Sequence, residues 1–364
     1  MSSTLVSESP LSFFANRMML ERPLEALVRQ LAPTWSRTET RAEVIDLRRE
    51  SPRATTVVLA PNGRWRGFEP GQFVPVTFEV NGVRTTRCYS LSEAPERGRL
   101  QITVARHPQG KVSRHVHDSL ALGAVVTLGE AAGELVLPRE PGPVLLIAAG
   151  SGVTPMRAHV RALAKRHALA DVILVQDART DEDLLFAREF RALAEVEPGF
   201  TYVPHTTAGD DPARRIDGDR LATLVPDFAA RTALACGPGG LVAMVEATFA
   251  KAGARERLRT ESFTPPPSQA PREPRAEAAI DAPVALLRSH VHFNADGRTS
   301  LLVQAEAAGA RPKSGCRMGI CHTCTCTKRS GTTVNLLTGR VSSEPNEAVQ
   351  LCVSAALGPV ELDV

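Results

Sequence analysis

The stretch SGCRMGICHTCTC, Ser314–Cys326, holds four cysteines, Cys316, Cys321, Cys324 and Cys326, and Cys352 follows Cys324 by 28 positions. Four residues separate Cys316 from Cys321 and two separate Cys321 from Cys324. With Cys352 they reproduce the C-x4-C-x2-C…C spacing of a plant-type [2Fe–2S] centre. Such a cluster needs four thiolates, two for each iron, and backbone amides close to the sulfurs to stabilise the reduced form. Gly315 and Gly319 lack side chains and let the loop wrap closely around an inorganic core. Zinc is the alternative, but four-cysteine zinc sites are usually built from two short C-x2-4-C pairs, which this chain lacks. Cys326 is surplus: in an extended segment it lies about 6.6 Å beyond Cys324, too far to replace it, and is expected as a free, buried thiol. His322 does not suggest a Rieske-type centre, which needs two histidines and another spacing.

Two further groups of residues could bind redox cofactors. In Arg87-Cys88-Tyr89-Ser90 the Arg can neutralise a flavin phosphate, the Tyr can cover the ring and the Ser hydroxyl can hydrogen-bond its redox-active nitrogen. Gly110-Lys111-Val112-Ser113 opens a helical stretch, and a helix N-terminus led by Gly is an anion site. Gly150-Ser151-Gly152-Val153-Thr154-Pro155-Met156 follows the apolar run VLLIAA and opens another helix. Thr154 suits an N-cap and Pro155 the first helical position, and the glycines let a pyrophosphate approach free amides. Pro155 stands where the third Gly of G-x-G-x-x-G belongs, so this is not a standard Rossmann turn. Cys236-Gly237-Pro238-Gly239-Gly240 follows TALA. Cys236 is either a small core residue or a contact beside a nicotinamide ring, and its place at a strand end before a Gly-rich turn favours the second. Arg179 could grip a 2′-phosphate and Asp177 a ribose hydroxyl, which leaves the choice of NADPH or NADH open.

The elements that must position these residues separate by pattern. Residues 38–138 contain six short runs rich in Val and Thr, with the hairpin signal Asn81-Gly82, and predict an antiparallel β-barrel. Residues 139–263 alternate strand and helix patterns, EDLLFAREFRALAEV among the helices, and predict a parallel α/β sheet. Residues 264–283 contain six prolines and read as a semi-extended linker. Residues 284–364 form a third module around the cysteine loop. Residues 1–37 are an extension in which Leu24, Leu27, Val28 and Leu31 predict one amphipathic helix. The fold class is thus multidomain, α+β and α/β.

Composition narrows the functions. The 364 residues carry a net charge of only +3, too little for a general nucleic-acid binder. No apolar run approaches the length of a membrane span, and the N-terminus does not read as a signal peptide. A cytoplasmic protein is expected, where thiols stay reduced and clustered cysteines bind metal. Seven cysteines cannot pair completely in any case.

RCYS at 87–90, GKVS at 110–113, GSGVTPM at 150–156, CGPGG at 236–240, ESF at 261–263 and the cysteine loop with Cys352 resemble, in that order, the ferredoxin–NADP reductase superfamily fused to a plant-type ferredoxin. The resemblance covers roughly residues 38–364. It implies an FAD-binding barrel at 38–138, an NAD(P)-binding domain at 139–263 and a C-terminal β-grasp ferredoxin domain. Arg87, Tyr89 and Ser90 would hold the flavin, and Gly110, Lys111, Val112 and Ser113 its pyrophosphate. Gly150, Gly152, Thr154 and Pro155, with Arg179, Gly237 and Pro238, would hold the nucleotide. Ser90, Cys236 and Glu261 would flank the hydride path, with Phe263 near the isoalloxazine. The order of domains looks like the reductase components of bacterial oxygenases, hydroxylases and acyl desaturases, so a separate acceptor of that kind, membrane-bound ones included, is the implied partner. A freestanding diaphorase or flavin reductase and a redox sensor are the competing readings. Arg311, Lys313, Arg317, Lys328 and Arg329 form either a solvated basic face or a docking site for an acidic partner.

Overall fold

The computed structural model describes residue 28 and residues 32–140, 142–207, 215–263, 281–315, 319 and 323–364. The helix expected in the N-terminal extension and most of the Pro-rich linker lie outside these residues. Val28 alone of the helix is described, with its carbonyl accepting from the Ala32 amide at 2.8 Å.

Six strands build the first unit: β1 (Thr40–Ser51), β2 (Ala54–Pro61), β3 (Phe73–Val80), β4 (Val83–Ser90), β5 (Leu100–Ala105) and β6 (Val125–Leu128), in the antiparallel order β4-β3-β6-β1-β2-β5. Each corresponds to one of the six Val- and Thr-rich runs. The β3–β4 hairpin turns at Asn81 and Gly82, both with positive φ (52° and 74°), as a type I′ turn requires. An isolated bridge between Leu91 and Ile102 joins the end of β4 to β5 and brings the sheet round on itself. Alternate residues point inward, and Val44, Val57, Leu59, Val76, Phe78 and Ile102 fill the interior. Helix α1 (Lys111–Asp118) closes one end, with Val112 and Val116 in the same core.

The second unit is a five-stranded parallel sheet: β7 (Val144–Ala149), β8 (Val172–Ala178), β9 (Phe200–Thr206), β10 (Thr232–Gly237) and β11 (Leu258–Ser262), in the order β11-β10-β7-β8-β9. Helices α2 (Val153–Lys165), α3 (Ala187–Val196), α4 (Gly218–Leu224) and α5 (Gly239–Lys251) connect them. β7 is entirely buried, as a strand covered on both faces must be. The chain goes from β7 to β8 on one side and returns to β10 on the other, so the strand order reverses between β7 and β10, where ligands bind such sheets. Two local expectations are corrected. Gly150–Gly152 forms a 3-10 turn that runs straight into α2, so Gly152 occupies the N-cap and Thr154 lies inside the helix, its hydroxyl donating to the Ser151 carbonyl at 2.9 Å. The helix expected over EDLLFAREFRALAEV begins only at Ala187, because Phe186 takes a left-handed conformation to bury its ring beside Phe190; a single 3-10 turn precedes it.

The third unit is a mixed sheet of β12 (Ala282–Leu286), β13 (Val291–Ala295), β14 (Thr325–Asn335), β15 (Val341–Ser342), β16 (Glu347–Gln350) and β17 (Ser354–Leu362), in the order β13-β12-β17-β14-β15, with β16 also on β14. β12 opens inside the stretch read as linker. Helix α6 (Leu301–Ala307), capped by the Ser300 hydroxyl, buries Leu301, Leu302 and Ala305 in the core of this unit. No helix among the described residues is long and apolar enough to cross a membrane.

Phe249 on α5 is fully buried and stands edge-on to Phe228 at 5.1 Å. Phe249→Ala is expected to cost about 3–5 kcal/mol. Val196→Ala at the 71% exposed end of α3 is expected to stay within about 0.5 kcal/mol. Urea unfolding of both variants checks the difference.

Candidate functional site

The barrel and the parallel sheet meet where four of the sequence motifs end. Strand β10 pairs with β11 so that Cys236 lies opposite Glu261 and Gly237 opposite Ser262. On the other side β10 pairs with β7, whose C-terminal end carries the Gly150–Gly152 turn. That turn approaches β10 so closely that a Cβ on Gly152 would lie 2.1 Å from the Cys236 carbonyl oxygen. Ser90 pairs with Phe73 across β3 and β4. Gly133 packs against the Phe73 ring, and a Cβ there would stand 3.6 Å from a Glu261 carboxylate oxygen. Ser90, Phe73, Gly133, Glu261, Cys236 and Gly152 thus lie in succession as neighbours along the seam. Phe263 packs against the core that includes Cys236 and Val153.

Ser90 and Cys236 are buried at this seam and Glu261 is half-buried. Ser90 is 4% exposed and its hydroxyl has no hydrogen-bond partner among the described residues. A buried hydroxyl left unpaired is costly, and a flavin nitrogen edge at this place would satisfy it. Burial pushes the Glu261 carboxyl up to about 7. Burial, with the Glu261 charge next, pushes the Cys236 thiol well above its ordinary value. Cys236 is therefore a neutral, polarisable wall and not a thiolate nucleophile. Burial likewise raises the Tyr89 phenol, whose ring stands edge-on to Phe78 at 6.3 Å. Arg87 is half-buried, with one guanidinium nitrogen on the Thr86 carbonyl at 2.8 Å.

The GKVS motif sits at the start of α1. Gly110 is its N-cap and no side chain caps it, so the first amides remain available to an anion. Lys111 is exposed, but Val112 points into the barrel core and can offer only its backbone. The Ser113 hydroxyl accepts from the His107 amide at 3.1 Å.

A cavity of about 700 Å³ opens beside the seam, over the C-terminal ends of β7, β8 and β10, with Gly150, Ser151, Asp177, Arg179 and Pro238 in its wall. Pro155, by contrast, is buried in α2 as its third residue and not its first, because the helix already begins at Val153. Four arginines border the cavity: Arg179 and Arg215 from connections of the second unit, and Arg53 and Arg106 from connections of the first. Asp177 is engaged by the His205 ring at 2.6 Å, which leaves its carboxylate less suited to a ribose hydroxyl. Arg53, Arg106 and Arg215 were not legible in the sequence, because each comes from a different connection and none lies in a motif.

In the third unit Cys324 and Cys352 are buried, and the Cys352 amide donates to the Cys324 sulfur at 3.5 Å. An N–H on a ligand sulfur is the contact that stabilises a reduced cluster. Cys316 and Cys321 lie outside the described residues. Between them Gly319, at φ +78°, is held by the Gln350 side chain on its carbonyl at 2.8 Å; a Cβ would press on Leu337 and Val353 at 3.1 Å. Cys326 is free and only half-buried, its thiol pushed up to about 12 by burial and by Cys324. The basic face expected here is smaller than the sequence suggests. Lys328 is fully buried, its ammonium on the Ser342 carbonyl at 2.8 Å and on Glu347 at 3.3 Å. Arg329 is paired with Asp363 at 2.7 Å. Arg311 and Lys313 are exposed, and Arg317 lies outside the described residues.

Three family models match in order: an oxidoreductase FAD-binding domain at residues 50–136, an oxidoreductase NAD-binding domain at 146–247 and a 2Fe-2S iron-sulfur cluster binding domain at 284–356. The chain is 34% identical to an NADPH oxidoreductase of Mycobacterium tuberculosis, covering 91% of this chain and 86% of that one. It is 30% identical to the glycine betaine monooxygenase reductase subunit of Chromohalobacter salexigens, covering 76% and 81%. Its fold matches the solved structure of phthalate dioxygenase reductase with a TM-score of 0.62 over 90% of this chain and 98% of that one, at 24% identity.

Two predictions follow from the seam. Burial raises the Glu261 carboxyl from the ordinary 4.5 to about 7 in the folded state. The folded state therefore holds the extra proton between those values, and stability falls as pH rises through that window. Glu261→Gln should flatten that decline in urea titrations at pH 5 and pH 8. Gly152→Ala would drive a methyl into the Cys236 carbonyl, and is expected to destabilise the protein by about 2 kcal/mol or more and to weaken nucleotide binding at least tenfold by fluorescence titration.

Proposed function

Because the chain belongs to the ferredoxin–NADP reductase superfamily, in the form that carries a plant-type [2Fe–2S] domain, we propose that it is the reductase component of an oxygenase system, taking electrons from NADPH and delivering them singly to a separate oxygenase, hydroxylase or desaturase. It is an oxidoreductase with FAD, nicotinamide nucleotide and [2Fe–2S] cofactors. When bound, FAD accepts electrons in pairs and releases them one at a time, and the cluster carries one.

The residues divide that task. The Ser90 hydroxyl offers a hydrogen bond inside the barrel rim, with Arg87 and Tyr89 beside it to neutralise phosphate and cover a ring face. Gly110 and the amides of Lys111, Val112 and Ser113 offer an anion site at α1. Gly150, Gly152 and Thr154, with Gly237 and Pro238, shape the turn pair that admits a dinucleotide, and Pro155 lies in the first turn of the helix behind it. Cys236 and Phe263 provide a dry, polarisable surround, and Glu261 holds a proton near neutral pH. Cys316, Cys321, Cys324 and Cys352 are the proposed iron ligands.

The single observation that carries the reading is the convergence of Ser90, Glu261, Cys236 and Gly152 on one seam, at the strand reversal of an α/β sheet. The choice of NADPH rests on the four arginines around the cavity, which suit a 2′-phosphate dianion. The name of the mycobacterial relative points the same way. An oxygenase acceptor is supported by the monooxygenase reductase relatives.

Arg215→Ser combined with Arg179→Ser should lower kcat/KM for NADPH by about tenfold or more, the value of one to two charge-assisted contacts, and leave NADH within threefold; equal losses for both nucleotides would contradict the assignment. Cys352→Ser, purified with FAD, should keep nucleotide-driven reduction of a small quinone. It should lose most transfer to cytochrome c, a one-electron acceptor. Undiminished transfer would favour a diaphorase whose third unit is accessory.

A further inference from the structure

Four charged side chains lie between the barrel and the nucleotide unit, away from every motif above. Glu93 follows β4 and is 6% exposed; Arg157, in the second turn of α2, is 8% exposed; Glu189 comes from α3 and Arg161 from the next turn of α2. Arg157 reaches Glu93 at 3.5 Å and Glu189 at 2.8 Å. Arg161 reaches Glu93 at 2.8 Å and Glu189 at 3.4 Å. Two cations and two anions thus form a closed, neutral square. Arg157 also donates to the Ser92 carbonyl at 2.5 Å, and its guanidinium lies over the Phe186 ring at 4.6 Å.

Such burial is unfavourable for charges, and a buried pair seldom adds net stability compared with apolar residues of the same size. What it does provide is a fixed register, because a guanidinium fork accepts few geometries. The two objects fixed here are the segment that carries Ser90 and the helix that carries the Gly150–Gly152 turn. Ser92 is itself held on β5, its amide on the Gln101 carbonyl at 2.9 Å and its hydroxyl on Thr103 at 2.9 Å. A second pin, the buried His159 ring on the Leu135 carbonyl at 2.8 Å, holds another side of the same helix to the barrel. A rigid helix carries any shift at Arg157 to its N-terminus, one turn away.

We propose that Arg157, through Ser92 and Glu93, is a positioning residue that sets the nucleotide-binding turn at its working distance from the Ser90 segment. This rests on the reading that a nicotinamide nucleotide reduces a flavin at that seam. Without the clasp, nucleotide and FAD still bind their own units, but the two rings stack poorly. The effect should therefore fall on the rate of flavin reduction and not on either affinity.

The test compares the FAD-loaded full chain with Arg157→Met, Arg157→Lys, Arg161→Met and the double variant Glu93→Gln/Arg157→Met. Stopped-flow reduction by NADPH gives a limiting rate and a Kd. The long-wavelength absorbance that NADP⁺ induces on stacking against oxidised flavin gives a signal without turnover. Arg157→Met should lower the limiting rate about 10- to 100-fold, since misplacement by about 1 Å costs that much, with Kd within threefold and the stacking band reduced. Arg157→Lys, which keeps a charge and one donor, should fall between it and wild type. Arg161→Met, which leaves the Ser92 contact intact, should stay within threefold. The double variant leaves no orphaned carboxylate; if Arg157→Met does not fold, the double variant is measured, and Arg157→Lys if neither folds. Wild-type limiting rates and stacking bands in the folded Arg157 variants, with only a lower Tm, would overturn the proposal. A wild-type protein whose flavin NADPH does not reduce would overturn the underlying reading instead.

Discussion

The architecture depends on keeping a few polar groups dry where the barrel meets the parallel sheet. An unpartnered Ser90 hydroxyl, a Glu261 carboxyl raised towards neutrality and an un-ionised Cys236 thiol share one small seam. Each would be an unfavourable feature of an ordinary core, where buried polar groups find partners and buried acids are rare. Together they describe the place where, on the proposed function, a planar redox ring and its reductant would sit. The neighbouring glycines fit the same place: Gly152 lies where the Cys236 backbone leaves no room for a side chain, and Gly133 packs against the Phe73 ring at a φ of +118° that favours glycine.

That seam is one end of an electron path; the third unit is the other. A nucleotide gives electrons in pairs and a [2Fe–2S] cluster takes one, so a carrier able to do both must stand between them. The barrel supplies the site for that carrier, the parallel sheet the site for the donor, and the small mixed sheet the cluster loop. Within the last, Cys352 and Cys324 are already joined by an N–H···S contact, and Gln350 ties the loop at Gly319. Buried Lys328, paired with Glu347, belongs to the scaffold of that sheet and not to a docking face.

Much of this was legible in the sequence, for definite reasons. The six barrel strands show alternation and turn chemistry, with Asn81-Gly82 fixing one register outright. β7 reads as buried because nothing polar interrupts it. The cysteine spacing and the Gly-rich turns are local in sequence, so they can be read without the fold. What escaped was non-local or subtle. Thr154 looks like a cap, but the 3-10 turn at Gly150–Gly152 absorbs the helix start. Phe186 breaks an otherwise continuous helical pattern because its ring is needed in the core. Arg53, Arg106 and Arg215 meet at one cavity from three separate connections. Glu93 and Arg157 are ordinary surface residue types, and only the packing of two units against each other buries them.

The central claim is that electrons entering at the seam reach the cluster through the flavin. Anaerobic addition of NADPH to the fully loaded chain, followed by visible absorbance and low-temperature EPR, tests it most directly. The account predicts that flavin colour bleaches first and that the paramagnetic signal of the reduced cluster then appears, and that flavin-depleted protein shows no such signal. A cluster that dithionite reduces but NADPH leaves EPR-silent, or one that NADPH reduces without flavin, would contradict it.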